Sequence, residues 1–132
     1  MIVVSGEWKM QDKINDYRDL VIWQKGLELS LNLYKVTKSF PQEERYGLIS
    51  QIRKAAVSVP SNIAEGQARY SKKEFVRFLY FAKGSLAELD TQCIMAKELE
   101  YITENTYKGL SSKIDELQRM IFSLIRKLEG SR

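Results

Sequence analysis

The sequence predicts an all-α protein, an antiparallel up-down-up-down four-helix bundle. Four segments repeat apolar residues at steps of three and four, which places those residues along one side of a helix. The links between these segments are short, so consecutive helices should be antiparallel neighbours. A chain of 132 residues is long enough for one domain with its own core.

The first predicted helix follows Asp19, a residue type that caps helix N-termini well, and ends before Phe40-Pro41. Its apolar arc is wide, which indicates burial on two sides, within the subunit and against another subunit. The bundle domain is expected over residues 17–132. Residues 1–16 are polar and without period, and are interpreted as a flexible arm, a short strand-like tail or residues left by cloning.

The second predicted helix begins between Gln42 and Gly47, ends near Arg69 or Tyr70, and carries Pro60 in its interior. Proline removes one backbone hydrogen bond and crowds the preceding turn, so a kink is expected there. Two interpretations stay open. The kink is a bend that core packing requires, or it frees backbone groups for a ligand.

The third predicted helix opens at Ser71 with Glu74 three residues later, the pattern of a capping box. Pairing it with the second helix about a turn near Tyr70 brings Ser58 opposite the Gly84-Ser85 region and places Arg53 at the level of Glu88. We therefore predict a line of polar residues, the polar file, beside the apolar seam of the second helix. Ser85 and Glu88 are expected to provide hydrogen-bond partners for its polar side chains, because unpaired buried polar groups are costly. Its members are Ser58, Asn62, Glu65, Ser85 and Glu88.

The fourth predicted helix follows Thr103 or Asn105, and Gly130 is placed to end it in a left-handed cap. Leucines and isoleucines from Leu110 to Leu128 alternate steps of four and three. Phe122 and Ile125 form a second apolar strip, which is explained either by packing at the core edge or by self-association, and we favour the latter.

The composition argues against an enzyme. Without histidine there is no Ser-His-Asp or Cys-His pair and no imidazole acid–base chemistry. The lone Cys93 lies on the apolar seam of the third helix, as expected of a small buried hydrophobe. Carboxylates such as Glu65, Glu88 and Asp90 admit a magnesium site in principle, but salt bridges explain them more simply. We expect no catalytic residues, no cofactor and no metal site.

The single cysteine, the short apolar start at Met1 and the lack of an apolar run of about 18 residues favour a soluble cytoplasmic protein without a membrane partner.

The positive charge is concentrated in the middle of the chain. Residues 45–83 contain eight Lys or Arg against Glu65 and Glu74, whereas the net charge of the whole chain is +4. Such a segment attracts an anionic partner, or it is a solvated face that keeps the protein soluble. Tyr70, Tyr80 and Phe81 lie among these cations and either stack on bases or pack in the core or an interface. The candidate nucleic-acid-binding residues are Arg53, Lys54, Arg69, Lys72, Lys73, Arg77 and Lys83.

Four segments carry a family resemblance. They are AAVSVPSNIAEG at residues 55–66, DLVIWQKG at 19–26, SFPQEERYGL at 39–48 and GSLAEL at 84–89. Together they resemble the bacterial four-helix-bundle proteins called 23S rRNA intervening-sequence proteins, over about Tyr17 to Leu128. Gly26 stands where that family more often has alanine.

The resemblance implies a bacterial cytoplasmic bundle that assembles into a ring, commonly a homopentamer, with an uncertain molecular role. It also implies a link to RNA, because members are encoded within ribosomal RNA genes. A similar bundle is the accessory protein of diversity-generating retroelements, which binds nucleic acid and a reverse transcriptase. The sequence thus leaves two hypotheses, a homo-oligomeric RNA- or DNA-binding protein and a protein-interaction scaffold or accessory subunit.

Overall fold

A computed structural model describes residues 16–130, which form four α-helices and two short 3-10 turns. The helices are α1 (Val21–Thr37), α2 (Leu48–Gln67), α3 (Lys72–Glu98) and α4 (Glu104–Leu128), and the turns are Tyr17–Asp19 and Gln42–Glu44. The predicted all-α class is confirmed. The proposed N-terminal arm lies outside the described residues except for Asp16, whose side chain caps the first turn.

Neighbouring helices are antiparallel in this bundle. Ser58 of α2 lies against Ser85 of α3, and Gly66, further along α2, lies against Phe78, an earlier residue of α3. The same reversal relates α3 to α4 (Lys83 with Gln118, Asp90 with Tyr107) and α1 to α2 (Thr37 with Arg53, Gly26 with Val59). The helix α1 also packs on α4, so each helix has two helical neighbours.

The core follows the apolar seams of all four helices. Its largest fully buried side chains are Leu20, Leu29, Leu33, Ile52, Ile63, Phe75, Leu79, Leu86, Leu89, Ile114, Leu117 and Ile121. Cys93 is buried among them, as predicted. The second strip of α4 is divided, because Ile125 is in the core while Phe122 is exposed.

The helix α2 runs without interruption through Pro60, which is buried against α1. A neighbouring helix can hold a proline-containing helix together where the backbone bond is lost. The predicted kink at Pro60 stays a prediction.

Helix ends match the predicted caps at three places. The Oγ of Ser71 accepts the backbone N–H of Glu74 at 3.2 Å, and the Oγ1 of Thr103 accepts that of Thr106 at 3.0 Å. The other half of the predicted capping box is not formed, because the carboxylate of Glu74 accepts from Arg77. Gly130 has a φ of +64°, in the left-handed region. The predicted cap at Asp19 is wrong, because Asp19 belongs to the 3-10 turn and α1 begins at Val21 behind Leu20, which makes no side-chain cap. The helix α2 is also shorter than predicted at both ends.

The α3–α4 link is a Schellman motif with glutamate in the left-handed position. The N–H of Tyr101 donates to the carbonyl of Ala96 at 2.8 Å, and that of Glu100 to the carbonyl of Lys97 at 2.9 Å. Glu100 has a φ of +65°, where a Cβ is unfavourable. We expect Glu100→Gly to raise the free energy of unfolding by about 1 kcal/mol, measured by urea denaturation. Glu98→Gly, inside α3, is the control and should destabilise the protein by a similar amount.

Glu44 connects the start of α2 to the α3–α4 link. Its Oε1 accepts the N–H of Leu48 at 2.9 Å, and its Oε2 accepts the hydroxyl of Tyr101 at 2.8 Å. The ring of Tyr101 packs on Phe40 with centroids 5.2 Å apart. The backbone bond from Leu48, followed by the Tyr101 bond, lowers the pKa of Glu44 below 4.5, and the bond to Glu44 raises the pKa of Tyr101 above 10.0.

These two pKa shifts predict the pH range in which the contact stabilises the fold. A lowered carboxyl pKa gives stability that is present above pH 4.5 and is lost as the pH falls through the folded-state value. A raised tyrosine pKa gives stability that is lost only as the pH rises above 10.0. We expect the loss of stability below pH 4.5 to be smaller in Glu44→Gln than in the wild type. Melting temperatures recorded at a series of pH values measure this loss. If the melting temperature falls with pH equally steeply in both proteins, the prediction is contradicted.

Candidate nucleic-acid interface

Four of the predicted cations gather around the α2–α3 link, at what is called here the turn end of the bundle. This turn cluster consists of Arg69, Lys72, Lys73 and Arg77. The guanidinium of Arg69 lies 4.8 Å from the centroid of the Phe78 ring, and that of Arg77 lies 5.4 Å from the same centroid. One ring therefore brings a cation of the α2–α3 link beside a cation of α3.

The turn cluster keeps its charge available to a ligand. Arg69 pairs with Glu65 at 3.1 Å and Arg77 with Glu74 at 3.0 Å, both between residues three or four apart in the chain and partly solvated. Such exposed pairs contribute only about 0.3–0.5 kcal/mol, so an incoming polyanion can replace them. Lys72 and Lys73 are exposed and make no ion pair within residues 16–130.

The C-terminus of α4 adds cations that the sequence prediction missed. A shallow pocket lined by Lys72, Lys73, Val76, Leu128 and Glu129 places the end of α4 beside the start of α3. Arg126 and Lys127 lie in that last turn, and Arg126 lies 5.8 Å from the Phe122 ring. Their position follows from the predicted antiparallel order, because the end of the fourth helix must meet the start of the third.

Three predicted cations lie away from the turn cluster. The Nε of Arg53 donates to the Oγ1 of Thr37 at 2.9 Å and its NH2 to the carbonyl of Tyr34 at 3.1 Å, so Arg53 binds the C-terminus of α1. Lys54 is exposed but lies roughly 20 Å along the axis from the end of α2. Lys83 turns toward α4, where its Nζ donates to the Oε1 of Gln118 at 2.9 Å.

Three members of the predicted polar file are hydrogen-bonded to one another. The hydroxyls of Ser58 and Ser85 are 2.6 Å apart, and the Nδ2 of Asn62 donates to the Oγ of Ser58 at 2.9 Å. Glu65 pairs with Arg69 instead of reaching α3. The prediction for Glu88 is wrong, because its side chain is exposed and makes no hydrogen bond or ion pair to any residue of the described chain. Arg53, its expected counterpart, is held by α1.

The three aromatic residues interleaved with the cations are exposed in the described chain. Tyr70 is 67% exposed in the α2–α3 link, and Tyr80 and Phe81 are about half exposed on α3. They are therefore not core residues of the subunit. Phe81 lies 5.1 Å from the guanidinium of Arg77, measured to the ring centroid.

Reactive groups are few in the part of the chain that the structure describes. No set of three Cys, Asp or Glu residues is arranged there to hold a metal ion. Burial raises the pKa of the Cys93 thiol to about 12, which keeps it protonated and unreactive near neutral pH. Asp90 accepts the hydroxyl of Tyr107 at 3.3 Å and so has a structural contact.

An apolar groove runs along the outside of the bundle between α1 and α2. It encloses about 480 Å³ and is lined by side chains of α1 and by Val57, Pro60, Ser61 and Ala64 of α2. The α1 residues are Trp23, Leu27, Leu31 and Tyr34, and Leu31 is more than half exposed. This groove, named here the α1/α2 groove, is the outer side of the wide apolar arc predicted for the first helix.

These features define a small all-α bundle with a cationic end and an apolar outer groove. The model of the 23S rRNA-intervening sequence protein family matches residues 18–123, and the chain belongs to that family. A search of curated proteins finds no match. No helix in the described range is both long and apolar enough to span a membrane.

A solved structure has the same fold. It is a protein of unknown function from the S23 ribosomal protein family of Bacteroides thetaiotaomicron. The TM-score is 0.75 at 23% sequence identity, with 80% of this chain and 96% of the other covered.

Proposed function

We propose that this protein is a non-catalytic, homo-oligomeric nucleic-acid-binding protein that uses the turn end of its bundle. The observation that carries the proposal is the polarity of the bundle. Residues 69–77 hold four cations against one acid, Glu74, and the end of α4 adds Arg126 and Lys127 against Glu129. Residues 86–116, which lie mostly toward the opposite end, hold seven acids against three cations. A polyanion is therefore attracted to one end and repelled from part of the other.

The expected binding mode is contact with the phosphate backbone. Phosphate contacts release condensed counterions, so affinity should fall steeply with salt and depend weakly on sequence. Membership of a family named for an rRNA intervening sequence supports RNA as the first ligand to test.

A filter-binding titration across salt tests the proposal with structured RNA and DNA. The variant Lys72→Gln/Lys73→Gln/Arg77→Gln should bind at least about tenfold more weakly at low salt, and its salt slope should fall by about 2–3. The matched control, Arg45→Gln/Lys108→Gln/Lys113→Gln, removes the same charge from exposed positions outside the turn end. Absence of wild-type binding at low salt, or equal losses in both variants, would overturn the proposal.

We propose further that the chain self-associates through the α1/α2 groove, as a pentamer by the family resemblance. Leu31 and Val57 are exposed in the groove, and the burial of such apolar surface drives association. A ring would repeat the turn cluster once per subunit and multiply its attraction for a polyanion. Light scattering should give a multiple of 15.4 kDa for the wild type and 15.4 kDa for Leu31→Glu/Val57→Glu. The control Leu99→Glu, exposed on another face, should remain assembled.

The second candidate is a protein-interaction scaffold or accessory subunit, for example a partner of a reverse transcriptase. The α1/α2 groove is the specific observation that favours it, because an apolar groove can receive a helix of another protein. A pull-down from bacterial lysate with and without nuclease separates the candidates. Partners that survive nuclease and are lost in Leu31→Glu/Val57→Glu favour the scaffold, whereas partners lost on nuclease treatment favour nucleic-acid binding.

A further inference from the structure

We infer that the ligand of the turn end is a single-stranded polynucleotide, bound by stacking of its bases as well as by its phosphates. The inference rests on the proposed function and narrows its ligand class. The observations that carry it are exposed aromatic rings set between the cations of the turn cluster.

The first ring system brings Arg69 of the α2–α3 link beside Arg77 of α3. The guanidiniums of Arg69 and Arg77 both lie within 5.4 Å of the Phe78 ring centroid, and Arg77 also lies 5.1 Å from that of Phe81. Phe78 and Phe81 are 5.3 Å apart, edge to face. Phe78 is buried, whereas Phe81 is 45% exposed, so solvent reaches one ring and the guanidinium beside it. A base can stack on both kinds of surface.

Tyr70 supplies a second ring at the apex of the α2–α3 link. Its φ is +54°, a conformation that disfavours a side chain and that glycine adopts readily. Its ring is nevertheless 67% exposed, so it contributes little to the subunit core. A bulky aromatic residue kept in a strained, exposed position next to Arg69 and Lys72 is the kind of outlier that points to a binding role.

A third ring extends the surface toward α4. Phe122 is 42% exposed and lies between Lys83 and Arg126, 5.4 and 5.8 Å from its centroid. Phe122 is thus a further exposed ring beside a cation of α3 and a cation of α4.

A duplex would use only part of this surface. Base faces are stacked inside a duplex and reach neither Tyr70 nor Phe81, whereas the phosphates reach the cations in either form. At equal length and salt, a single strand therefore makes the phosphate contacts and the stacking contacts together, and a duplex makes only the former.

Fluorescence anisotropy with end-labelled oligonucleotides of one length tests the inference, using single-stranded RNA, single-stranded DNA and the RNA duplex. The wild type should bind at least one single strand about tenfold more tightly than the duplex. Tyr70→Ala and Phe81→Ala should each lose about tenfold for that single strand and less than twofold for the duplex. Tyr70→Phe keeps the ring and should bind as the wild type does.

Tyr46→Ala is the matched control, because Tyr46 is 87% exposed, stacks beside Arg45 and lies away from the turn end. Equal affinity for single strand and duplex, or ring variants that weaken both equally, would overturn the inference while leaving the proposed function standing. Absence of binding to every oligonucleotide would overturn both.

Discussion

Replacing Gly66 with alanine is expected to lower the free energy of unfolding by about 2 kcal/mol, despite the better helix propensity of alanine. Gly66 is buried at a close contact between α2 and α3. A Cβ there would lie 2.6 Å from the Cβ of Phe78 and 3.2 Å from the Cδ1 of Phe75. The Cβ of Phe78 is fixed to its backbone, so the helices themselves would have to separate.

Gly26→Ala is the control for Gly66→Ala, since both add one methyl group inside a helix. At Gly26 the nearest atom is the Cγ1 of Val59 at 3.3 Å, and a shift of a few tenths of an ångström accommodates it. Alanine also gains up to about 1 kcal/mol of helix propensity there. In urea denaturation, the free energy of unfolding of Gly66→Ala should be lower than that of Gly26→Ala by at least about 1.5 kcal/mol. The reverse order would show that the α2–α3 contact is not tight.

Arg53→Ala is expected to destabilise the protein by about 1–2 kcal/mol, the second largest effect. Its guanidinium donates to the carbonyl of Tyr34 and to the hydroxyl of Thr37, both in the last turn of α1, and lies 4.6 Å from the centroid of the Tyr34 ring. A cation at a helix C-terminus also complements the helix dipole.

Lys54→Ala is the control for Arg53→Ala, because it removes the same charge from the next residue, which is exposed. Its effect should stay within about 0.5 kcal/mol. Arg53→Lys should restore little of the lost stability, since an ammonium does not reproduce the two-pronged contact. Equal effects of Arg53→Ala and Lys54→Ala in urea denaturation would mean that only net charge matters at this site.

The roles of Arg53 and the turn cluster differ because their surroundings differ. Arg53 is used by the fold to close α1, whereas Lys72 and Lys73 are exposed and make no ion pair in the described chain. A cation that already has strong internal partners is a weak candidate for binding an external phosphate. Compared with the residues predicted from the sequence, the proposed nucleic-acid interface therefore excludes Arg53 and Lys54 and includes Arg126 and Lys127.

The pattern of the sequence predicted much of the fold because its signals are local. Helix identity came from apolar spacing, and the caps at Ser71, Thr103 and Gly130 from residue types with one dominant use at helix ends. The contact between Ser58 and Ser85 also followed from local information, because a short link between two helices fixes which residues face each other.

Other features could not be read from neighbours in the sequence. Asp19 is of a residue type that caps helices, but it is the last residue of the 3-10 turn that Asp16 caps. Glu88 was expected at the level of Arg53, but Glu88 is exposed and Arg53 donates to Thr37 of α1. The position of a residue along the bundle axis can be predicted by counting residues from the link. The direction of a long side chain, in contrast, depends on which helix packs against it.

The sequence by itself determined the class, the four helices, their antiparallel order and the ends capped at Ser71, Thr103 and Gly130. These depend on interactions within a few residues or across one short link. The tertiary structure decided which cations remain exposed to a ligand, that α4 joins the turn end, and that α1 and α2 leave an apolar groove uncovered. Those properties depend on how four helices are rotated about their own axes, and only packing of the whole bundle sets that rotation.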